Sequence, residues 1–366
     1  MYIGIAETEE ERRAVYRLRY DVYVEEMGRY QTVADHAQCM LYEEVDKQSR
    51  ISYASIDGEV VATARLTWGG DGAFPQRMID QYGLAPFLEE LPADAIAVGE
   101  RAMVRPHLRG TDLLFKMMVS GRDWVSERRI QLIFGDCEPH LLNLYLGLGQ
   151  RTYSKKNINS PEAGYLIPIV TVVEDVDYLR QINSPMAEYA HDFGADARIP
   201  DIIKRTLAEG SAVVSRAQTT SASYWSEVHG ALSELENRIS ALDGFTEAEA
   251  ARCLEKSTII ECQAGDRVLK KGGVARNLFV VLNGTLEVRD GDVVQAVFTT
   301  GDVFGEMAFL LERPRTADVY AATDDVRILS LSEAQLKKMT KSDPEIAARL
   351  LLNISKMLCL RILKTG

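Results

Sequence analysis

The sequence predicts an α+β protein in which a mixed β-sheet with flanking helices is followed by a small antiparallel β-roll with flanking helices. Residues 1–172 mix helix and strand patterns, whereas residues 265–306 alternate β-branched runs with glycine turns. The small, polar stretch SRAQTTSAS between these regions is typical of a linker. We therefore expect a first domain over 1–172, a linker with a helix over 173–239, and the roll with a C-terminal helix over 240–366.

The composition excludes several classes of protein. Of 366 residues, 46% are hydrophobic and 26% are charged, and the net charge of -12 disfavours general binding to nucleic acid or to anionic membranes. The sequence has no apolar run of about 20 residues and no signal-peptide pattern, which favours a cytoplasmic protein without a membrane span. Five scattered cysteines without CxxC spacing indicate neither a disulfide framework nor a metal site.

The elements of the first domain follow from local patterns. ERRAVYRLRYDVYVEE has the period of an amphipathic helix, and the Asp-Gly pair in ISYASIDGEVVATARLTW predicts a hairpin turn between two strands. AVGERAMVRPHLRGTDLLFKMM reads as strand, turn and helix, and IQLIFGDCEPHLLNLYLGLGQRTY as strand, break and short helix. The chain then closes with one long amphipathic helix over 332–363, whose apolar stripe extends beyond what the roll needs and favours a homodimer. The stripe consists of Ile346, Leu350, Leu351, Ile354, Met357, Leu358 and Leu360 to Ile362.

The stretch FGEMAFLLERPRTADVYA places an acid and a base on either side of a short helical turn. Gly305 and Glu306 open this turn, and Arg315 follows it. The backbone N–H groups of a helix start, a glycine that admits close approach and an arginine together suit a phosphate, while the carboxylate suits a ribose hydroxyl. The pattern therefore predicts a nucleotide-phosphate site.

This stretch resembles the phosphate-binding cassette of cyclic nucleotide-binding domains, and the resemblance extends over residues 240–360. It implies that Glu306 binds the ribose 2′-hydroxyl and Arg315 the cyclic phosphate of cAMP or cGMP, with the choice between the two nucleotides left open. The residues it assigns to the site are Gly305, Glu306, Met307, Ala308, Arg315, Thr316 and Ala317. The alternative is a roll that is retained only for dimerisation.

A second anion site is predicted where a strand turns into a helix through Arg109, Gly110 and Thr111. VRPHLRGTDLLFKMM resembles the pantetheine-phosphate loop of the GNAT acyltransferase fold, and NLYLGLGQRTY resembles its late helix-to-strand motif. The resemblance implies an acyl-donor site formed by Val104, Arg109, Gly110 and Thr111. Asp112 and Leu114 stand where many members carry glycine, and a carboxylate there disfavours the pyrophosphate of coenzyme A relative to the single phosphodiester of an acyl carrier protein.

The N-terminus resembles the autoinducer synthases and the long-chain N-acyl amino acid synthases, two GNAT-fold groups that use acyl carrier protein. The matching positions are Arg19, Tyr23, Gly28, Glu44, Asp46, Arg65 and Leu66. Arg29 replaces a tryptophan that is frequent in autoinducer synthases, and Ser49 replaces a third acidic residue. These departures favour an N-acyl amino acid or a related amide over a homoserine lactone as product.

The implied chemistry is aminolysis of a thioester, which needs a base, an oxyanion donor and help for the leaving thiolate. Glu100 is the candidate base, backbone N–H groups near Met103 and Val104 are candidate oxyanion donors, and Tyr145 is the candidate proton donor to sulfur. The resemblance adds Arg19 and Asp46 to the catalytic site. The alternatives are a salt bridge for Glu100, core packing for Tyr145 and a surface ion pair for Arg19 with Asp46.

The sequence therefore supports a cyclic-nucleotide-regulated N-acyltransferase that uses acyl-carrier-protein or coenzyme A thioesters. The acceptor is a small amino acid-like amine or, alternatively, a protein lysine. A non-catalytic cyclic nucleotide receptor with a degenerate GNAT fold is the third interpretation.

Overall fold

The structure is a computed structural model that describes residues 1–215, 230, 241–254, 257–311 and 313–365. It divides into two compact units. The first unit comprises Met1–Cys137, Leu144–Ser154 and Ile167–Gly210, and the second comprises Glu138–Asn143, Lys155–Leu166 and Ser211–Gly366. Most of the predicted linker stretch SRAQTTSAS, and most of the remainder of the predicted 173–239 segment that follows it, lies outside the described residues.

An eight-stranded sheet forms the centre of the first unit, although β7 and the start of β8 belong to the second. Its strands are β1 (Tyr2–Ile5), β2 (Ser49–Ile56), β3 (Glu59–Trp68), β4 (Ile96–Val104), β5 (Leu132–Cys137), β6 (Arg151–Thr152), β7 (Ile158–Ser160) and β8 (Gly164–Val172). The α-helices are α1 (Glu9–Arg19), α2 (Gln76–Tyr82), α3 (Ala85–Glu90), α4 (Leu113–Ser120), α5 (Arg122–Glu127), α6 (Leu142–Gly147), α7 (Val176–Gln181) and α8 (Asp201–Ala208). Helices α7 and α8 occupy part of the segment that the sequence predicts as linker.

Local sequence explains the first elements of the chain. Thr8 caps α1 and forms a reciprocal capping box with Glu11, which satisfies backbone N–H groups at the helix start. The predicted hairpin turn between β2 and β3 is confirmed, because Asp57 and Gly58 both have positive φ, 52° and 84°, as a two-residue turn of type I′ requires. The predicted helix continues past α1 as a π-helical segment, Tyr20–Glu26.

The sheet order is β1-β2-β3-β4-β5-β8-β6, with β7 paired to β8. Every pair is antiparallel except β4 with β5, which is parallel from Ile96 and Leu132 to Gly99 and Gly135. Both strands continue past these glycines without pairing with each other. Residue Arg101, with φ of 58°, starts a bulge that turns β4 at this point.

The second unit contains two antiparallel sheets, with strand orders β15-β12-β17-β10-β9 and β11-β16-β13-β14. The strands are β9 (Val213–Ser215), β10 (Thr258–Cys262), β11 (Arg267–Leu269), β12 (Asn277–Asn283), β13 (Thr285–Asp290), β14 (Val293–Thr299), β15 (Val303–Phe304), β16 (Asp318–Ala321) and β17 (Val326–Ser332). The helices are α9 (Glu247–Cys253), α10 (Glu306–Leu311), α11 (Glu333–Ser342) and α12 (Pro344–Thr365). This arrangement agrees with the roll that the glycine spacing predicts.

The prediction of one long closing helix is wrong in one respect, because the helix is broken between α11 and α12. Asp343 has φ of -140° and ψ of 66°, outside the helical region. Pro344 explains the break, since proline disfavours the helical conformation in the residue before it and lacks a backbone N–H. Ile346, Leu350 and Ile354 of α12 are buried in the core, whereas Leu360 and Ile362 are exposed. Dimerisation through the exposed part stays a prediction.

Within the described ranges, no helix is both long enough and apolar enough for a membrane crossing.

Candidate functional sites

The second unit contains a pocket beside α10 with an empty volume of about 420 Å³ including its mouth. Its lining includes all the predicted cassette residues, together with apolar side chains from the roll. The lining residues are Leu269, Val288, Phe298, Phe304, Gly305, Glu306, Met307, Ala308, Arg315, Thr316, Ala317 and Val319.

Arg315 is a buried cation in this pocket, with 5% of its surface exposed. Its guanidinium donates to the carbonyl oxygens of Gly305 (2.8 Å) and Asn277 (2.7 Å), while Nε is buried and has no hydrogen-bond partner among the described residues. Burial lowers the pKa of Arg315 to about 10, against the opposite effect of the Glu306 carboxylate, so the group remains charged at neutral pH. No described residue forms an ion pair with it. A buried guanidinium without a counter-ion is suited to an anionic ligand.

Glu306 faces the closing helix. Its carboxylate accepts a hydrogen bond from Arg361 of α12 at 3.2 Å, and the Arg361 guanidinium lies 4.8 Å from the centroid of the Phe298 ring. Arg361 also donates to the carbonyl oxygen of Val303. A ribose hydroxyl that binds Glu306 therefore has to share this carboxylate with Arg361 or displace it.

Gly305 is required by the geometry of the pocket. Its φ is 81°, and a Cβ atom there would lie 2.5 Å from Nη1 of Arg315 and 2.8 Å from the carbonyl oxygen of Asn277. A side chain at this position would thus displace the arginine and strain the backbone.

We expect Gly305→Ala to lower both the thermal stability of the second unit and its affinity for cyclic nucleotide. The left-handed conformation alone costs an alanine about 1–2 kcal/mol, and the contact with Arg315 adds to it. Gly291→Ala is the matched control, because Gly291 also has positive φ (60°) but has nothing within 4 Å of its Cβ position. Equal effects of the two substitutions on nucleotide affinity would contradict the role of the Arg315 contact.

The first unit contains a buried cluster of charged side chains next to the end of the β4–β5 pairing. Nη1 of Arg19 donates to both carboxylate oxygens of Asp46, each at 2.9 Å. Both residues are 1% exposed. Arg65 donates to Asp46 (3.0 Å), to Glu43 (2.8 Å) and to Glu100 (2.6 Å). The Arg19–Asp46 pair is therefore buried, and the surface ion pair left open by the sequence is excluded.

Glu43 rather than Glu44 is the second acidic residue of this cluster. Glu43 accepts from Nε of Arg101 at 2.8 Å, whereas Glu44 pairs with Lys47 on the surface, where both side chains are more than three-quarters exposed. Sequence reasoning missed Glu43 because the two neighbours are chemically alike. The capping box between Glu43 and Asp46 gives the local signal for the correct choice.

Glu100 is held by two arginines and a tyrosine. Its carboxylate accepts from Arg65 (2.6 Å), Arg77 (3.2 Å) and Tyr82 (3.2 Å). Burial alone would raise the pKa of Glu100, but Arg65, Arg101 and Arg77 outweigh it and lower the pKa. Glu100 is thus a stable anion and a weak proton acceptor.

Tyr145 lies on α6 with 8% of its surface exposed, and burial raises the pKa of its hydroxyl. In the described part of the chain, this hydroxyl has no hydrogen-bond partner. It therefore stays neutral and can donate a hydrogen bond. Met103 is buried, and Val104, half-buried, pairs with Ala62 of β3, which fixes the backbone on which the predicted oxyanion donors lie.

The predicted donor loop is exposed and already paired. Arg109 makes a bidentate ion pair with Glu26, at 2.6 and 2.7 Å, and Gly110 turns the chain with φ of 82°. Thr111 donates to the carbonyl oxygen of Leu108, and Asp112 pairs with Lys116 at 2.7 Å. A donor phosphate must therefore compete with Glu26 for Arg109, while the charge of Asp112 is offset by Lys116.

We expect the first unit to lose stability on acidification below about pH 4.5. Burial would raise the pKa of Glu43, but Arg101 and Arg65 dominate and lower it from 4.5 to about 2. A lowered folded-state pKa stabilises the fold fully above the unfolded value and progressively less as the pH falls toward the folded value. Urea unfolding between pH 2 and 6, followed by Trp68 and Trp124 fluorescence, measures this. Stability that stays constant from pH 5 to pH 2.5 would contradict the assignment.

Comparison with known proteins identifies a family for the part of the chain that contains the Arg315 pocket. A family model described as a cyclic nucleotide-binding domain matches residues 259–343. The chain is 33% identical over 100 residues to a cAMP-dependent protein kinase regulatory subunit of Mycosarcoma maydis, covering 25% of this chain and 19% of that protein. It is 37% identical over 84 residues to a cyclic nucleotide-gated potassium channel of Rhizobium etli, covering 23% of each. The chain thus spans about a fifth of the length of these relatives.

A solved cyclic nucleotide-binding domain from Methylobacillus flagellatus is also similar, with 18% identity, a TM-score of 0.35, and coverage of 42% of this chain and 85% of that one. The matched range includes β10 to β17, α10 and Arg315. All the residues that line the pocket described above lie within it. The chain therefore carries a C-terminal cyclic nucleotide-binding domain.

Proposed function

We propose that the protein is an N-acyltransferase controlled by cyclic nucleotide, which moves an acyl group from a thioester to a small amino acid-like amine. The donor is an acyl carrier protein or a coenzyme A thioester. The cyclic nucleotide-binding domain supplies the control, and the charged cluster of the first unit supplies the reaction site. The observation that carries the catalytic part is the buried acid–base cluster at the point where β4 and β5 separate.

The separation of β4 from β5 supports the binding of an extended substrate. Beyond Gly99 and Gly135 the two parallel strands no longer pair, so backbone groups between them are available to a ligand. Extended ligands with amide groups bind such strand edges by adding hydrogen bonds of the β type. The amide-bearing arm of a thioester donor has this chemistry, and it would place the reactive carbonyl near Glu100.

Unused donors in the cluster support an acceptor that carries a carboxylate. Arg19 keeps Nε and Nη2, and Arg65 keeps Nε, without a hydrogen-bond partner among the described residues. Buried guanidinium N–H groups are normally satisfied, and a carboxylate is the partner that matches them best. This favours an amino acid-like acceptor among the amines that the sequence leaves open.

The reaction needs no group beyond those of the chain and its two substrates. The neutral amine attacks the thioester carbonyl carbon, a C–N bond forms, and the electron pair of the C=O bond moves to oxygen. The amine proton passes to a base, and the electron pair on oxygen re-forms the C=O bond as the C–S bond breaks. The pair of the C–S bond leaves with sulfur, and the thiolate takes up a proton to leave as a thiol. We assign the hydrogen bond to the sulfur to Tyr145 of α6, whose hydroxyl is neutral and has no hydrogen-bond partner among the described residues.

The ion pair between Arg109 and Glu26 favours a second candidate function, a non-catalytic cyclic nucleotide receptor. If this pair is permanent, the predicted donor loop has no free cation for a phosphate. Such a protein would bind nucleotide through Arg315 and transfer no acyl group.

Calorimetric titration with acetyl-CoA and with a long-chain acyl thioester on acyl carrier protein, both with cAMP present, separates these functions. Binding of acyl carrier protein is the expected result, and Glu26→Gln should strengthen it by releasing Arg109. Glu25→Gln, a change at the neighbouring exposed carboxylate, is the control for lost negative charge. Binding of neither donor by either form would favour the receptor.

A further inference from the structure

Asp136 lies where β4 and β5 stop pairing, beside the predicted base. Gly99 and Gly135 form the last pair of the parallel ladder, and Glu100 and Asp136 are the next residue of each strand. Paired residues of parallel strands point to the same face, so the two carboxylates emerge side by side. Both reach the hydroxyl of Tyr82, Asp136 at 2.7 Å and Glu100 at 3.2 Å.

The two carboxylates have different partners. Glu100 accepts from the guanidinium groups of Arg65 and Arg77. The described hydrogen bonds to Asp136 come from the neutral groups of Tyr82 and Gln81, the latter at 3.1 Å. Among the residues that the structure describes, Asp136 has no ion pair. Two neighbouring carboxylates in unequal environments have different acid–base roles. Here Glu100 is the fixed anion, and Asp136 is the group that can exchange a proton.

Counting hydrogens supports this division. The Tyr82 hydroxyl has one hydrogen, yet its oxygen contacts a carboxylate on each side. With both carboxylates ionised, this hydrogen can serve only one of them, and a proton on either carboxyl group supplies the second hydrogen bond. Arg65 and Arg77 hold Glu100 as an anion, so the proton is favoured on Asp136, which then donates to Tyr82 while Tyr82 donates to Glu100. The arrangement therefore stabilises a proton on Asp136.

We propose that Asp136 is the group that accepts the proton of the attacking amine, and that Glu100 and Tyr82 position it. This inference rests on the proposed acyl transfer. In the step, the N–H bond of the amine breaks as its nitrogen bonds to the carbonyl carbon, and the proton moves to Oδ of Asp136. The same proton is available for the sulfur when the C–S bond breaks, which returns Asp136 to its ionised form.

The electrostatic surroundings agree with this role. Burial raises the pKa of Asp136 from 3.8 to about 6, helped by Glu100 and opposed by the Tyr82 and Gln81 hydrogen bonds and by Arg101. A pKa near the working pH is what general-base catalysis requires. The titratable and charged groups that face it are Tyr82, Glu100, Arg101, Tyr145 and Tyr153.

A test that does not depend on turnover is the titration of the carboxyl groups by carbon-13 NMR. We expect the resonance that disappears in Asp136→Asn to titrate near pH 6, and the resonance that disappears in Glu100→Gln to remain in its ionised position down to below pH 4.5. Asp80→Asn, at an exposed carboxylate of α2, is the matched control for the assignment, because it removes an aspartate resonance that lies outside the cluster. An Asp136 resonance that titrates below pH 4.5 would overturn the inference.

Stability gives an independent reading of the same site. An aspartate with a raised folded-state pKa makes the fold less stable as the pH rises from 3.8 to 6, because the folded chain then holds a proton that the unfolded chain releases. Asp136→Asn should therefore leave the protein at least as stable as the parent at pH 7. A large drop in melting temperature would indicate a structural role for the carboxylate and contradict the proposal.

Thiol release with the donor that binds completes the test. For the parent, we expect the pH profile of kcat/KM to contain an ionisation near pH 6 in addition to that of the acceptor amine at higher pH. We expect Asp136→Asn to lower kcat/KM by about 10²–10⁴-fold and to remove the ionisation near pH 6 while keeping that of the amine. A parent that turns over while Asp136→Asn retains both rate and pH profile would overturn the inference and leave the acyl transfer standing. A parent that releases no thiol from any donor would overturn the proposed function and this inference together.

Discussion

Arg315→Ala is expected to lower the affinity for cAMP and cGMP by about 30-fold or more. Truncating one partner of a buried, hydrogen-bonded charge pair costs about 2–5 kcal/mol, and 1.4 kcal/mol corresponds to a factor of ten in affinity. Arg315 is the buried cation of the pocket, and its unsatisfied Nε offers a donor that a phosphate oxygen can use. Isothermal titration with each nucleotide measures the change.

Two controls separate charge from structure in this experiment. Arg313→Ala removes an exposed arginine two residues earlier and should leave the affinity within about twofold, because exposed charges contribute little. Arg315→Lys keeps the charge but loses the paired bonds to Gly305 and Asn277, so an intermediate affinity is expected. Nucleotide binding by folded Arg315→Ala at the parent's affinity would exclude this pocket as the site.

Asp46→Asn is expected to lower the free energy of unfolding of the first unit by about 3–5 kcal/mol. The substitution leaves Arg19 without its carboxylate at a position that is 1% exposed, and an uncompensated buried charge is strongly destabilising. Arg65 loses one partner but keeps Glu43 and Glu100. Urea unfolding, followed by the fluorescence of Trp68 and Trp124, measures the difference.

Glu44→Gln is the matched control for the loss of one acidic charge. Its side chain is 85% exposed and, within the described ranges, bonds to Lys47 alone, so we expect a change of about 0.5 kcal/mol or less. The double change Arg19→Met with Asp46→Leu should recover much of the lost stability, because an apolar pair can replace a buried ion pair. An effect of Asp46→Asn as small as that of Glu44→Gln would contradict the buried pair.

The nucleotide pocket is well predicted from the sequence because its residues are close along the chain. Gly305, Glu306 and Arg315 lie within 11 positions, and the conformation of that stretch alone brings them into one pocket. Arg361 could not be assigned in this way, since its contact with Glu306 depends on how α12 packs on the roll. The one sequence feature that pointed to a role for Arg361 is its position within an otherwise apolar stretch of the last helix.

The charged cluster of the first unit is harder to predict because its members come from distant strands. Arg65 and Glu100 are directly paired across β3 and β4, a register that a single sequence does not specify. Asp136 stands at the end of an apolar strand, where an acid is unusual, and this was the signal that sequence reasoning passed over. The role of Glu100 as base, inferred from the resemblance, stays a prediction that the pairing with Arg65 makes less favourable.

The central claim is that cyclic nucleotide controls acyl transfer, and the most direct test is the rate of thiol release measured against nucleotide concentration. With acyl carrier protein thioester and an amino acid acceptor, we expect a saturable change in the rate of thiol release for the parent protein. We expect folded Arg315→Ala to show the same dependence only at nucleotide concentrations about 30-fold higher or more. A measurable rate that does not change at saturating cAMP or cGMP would contradict control by cyclic nucleotide.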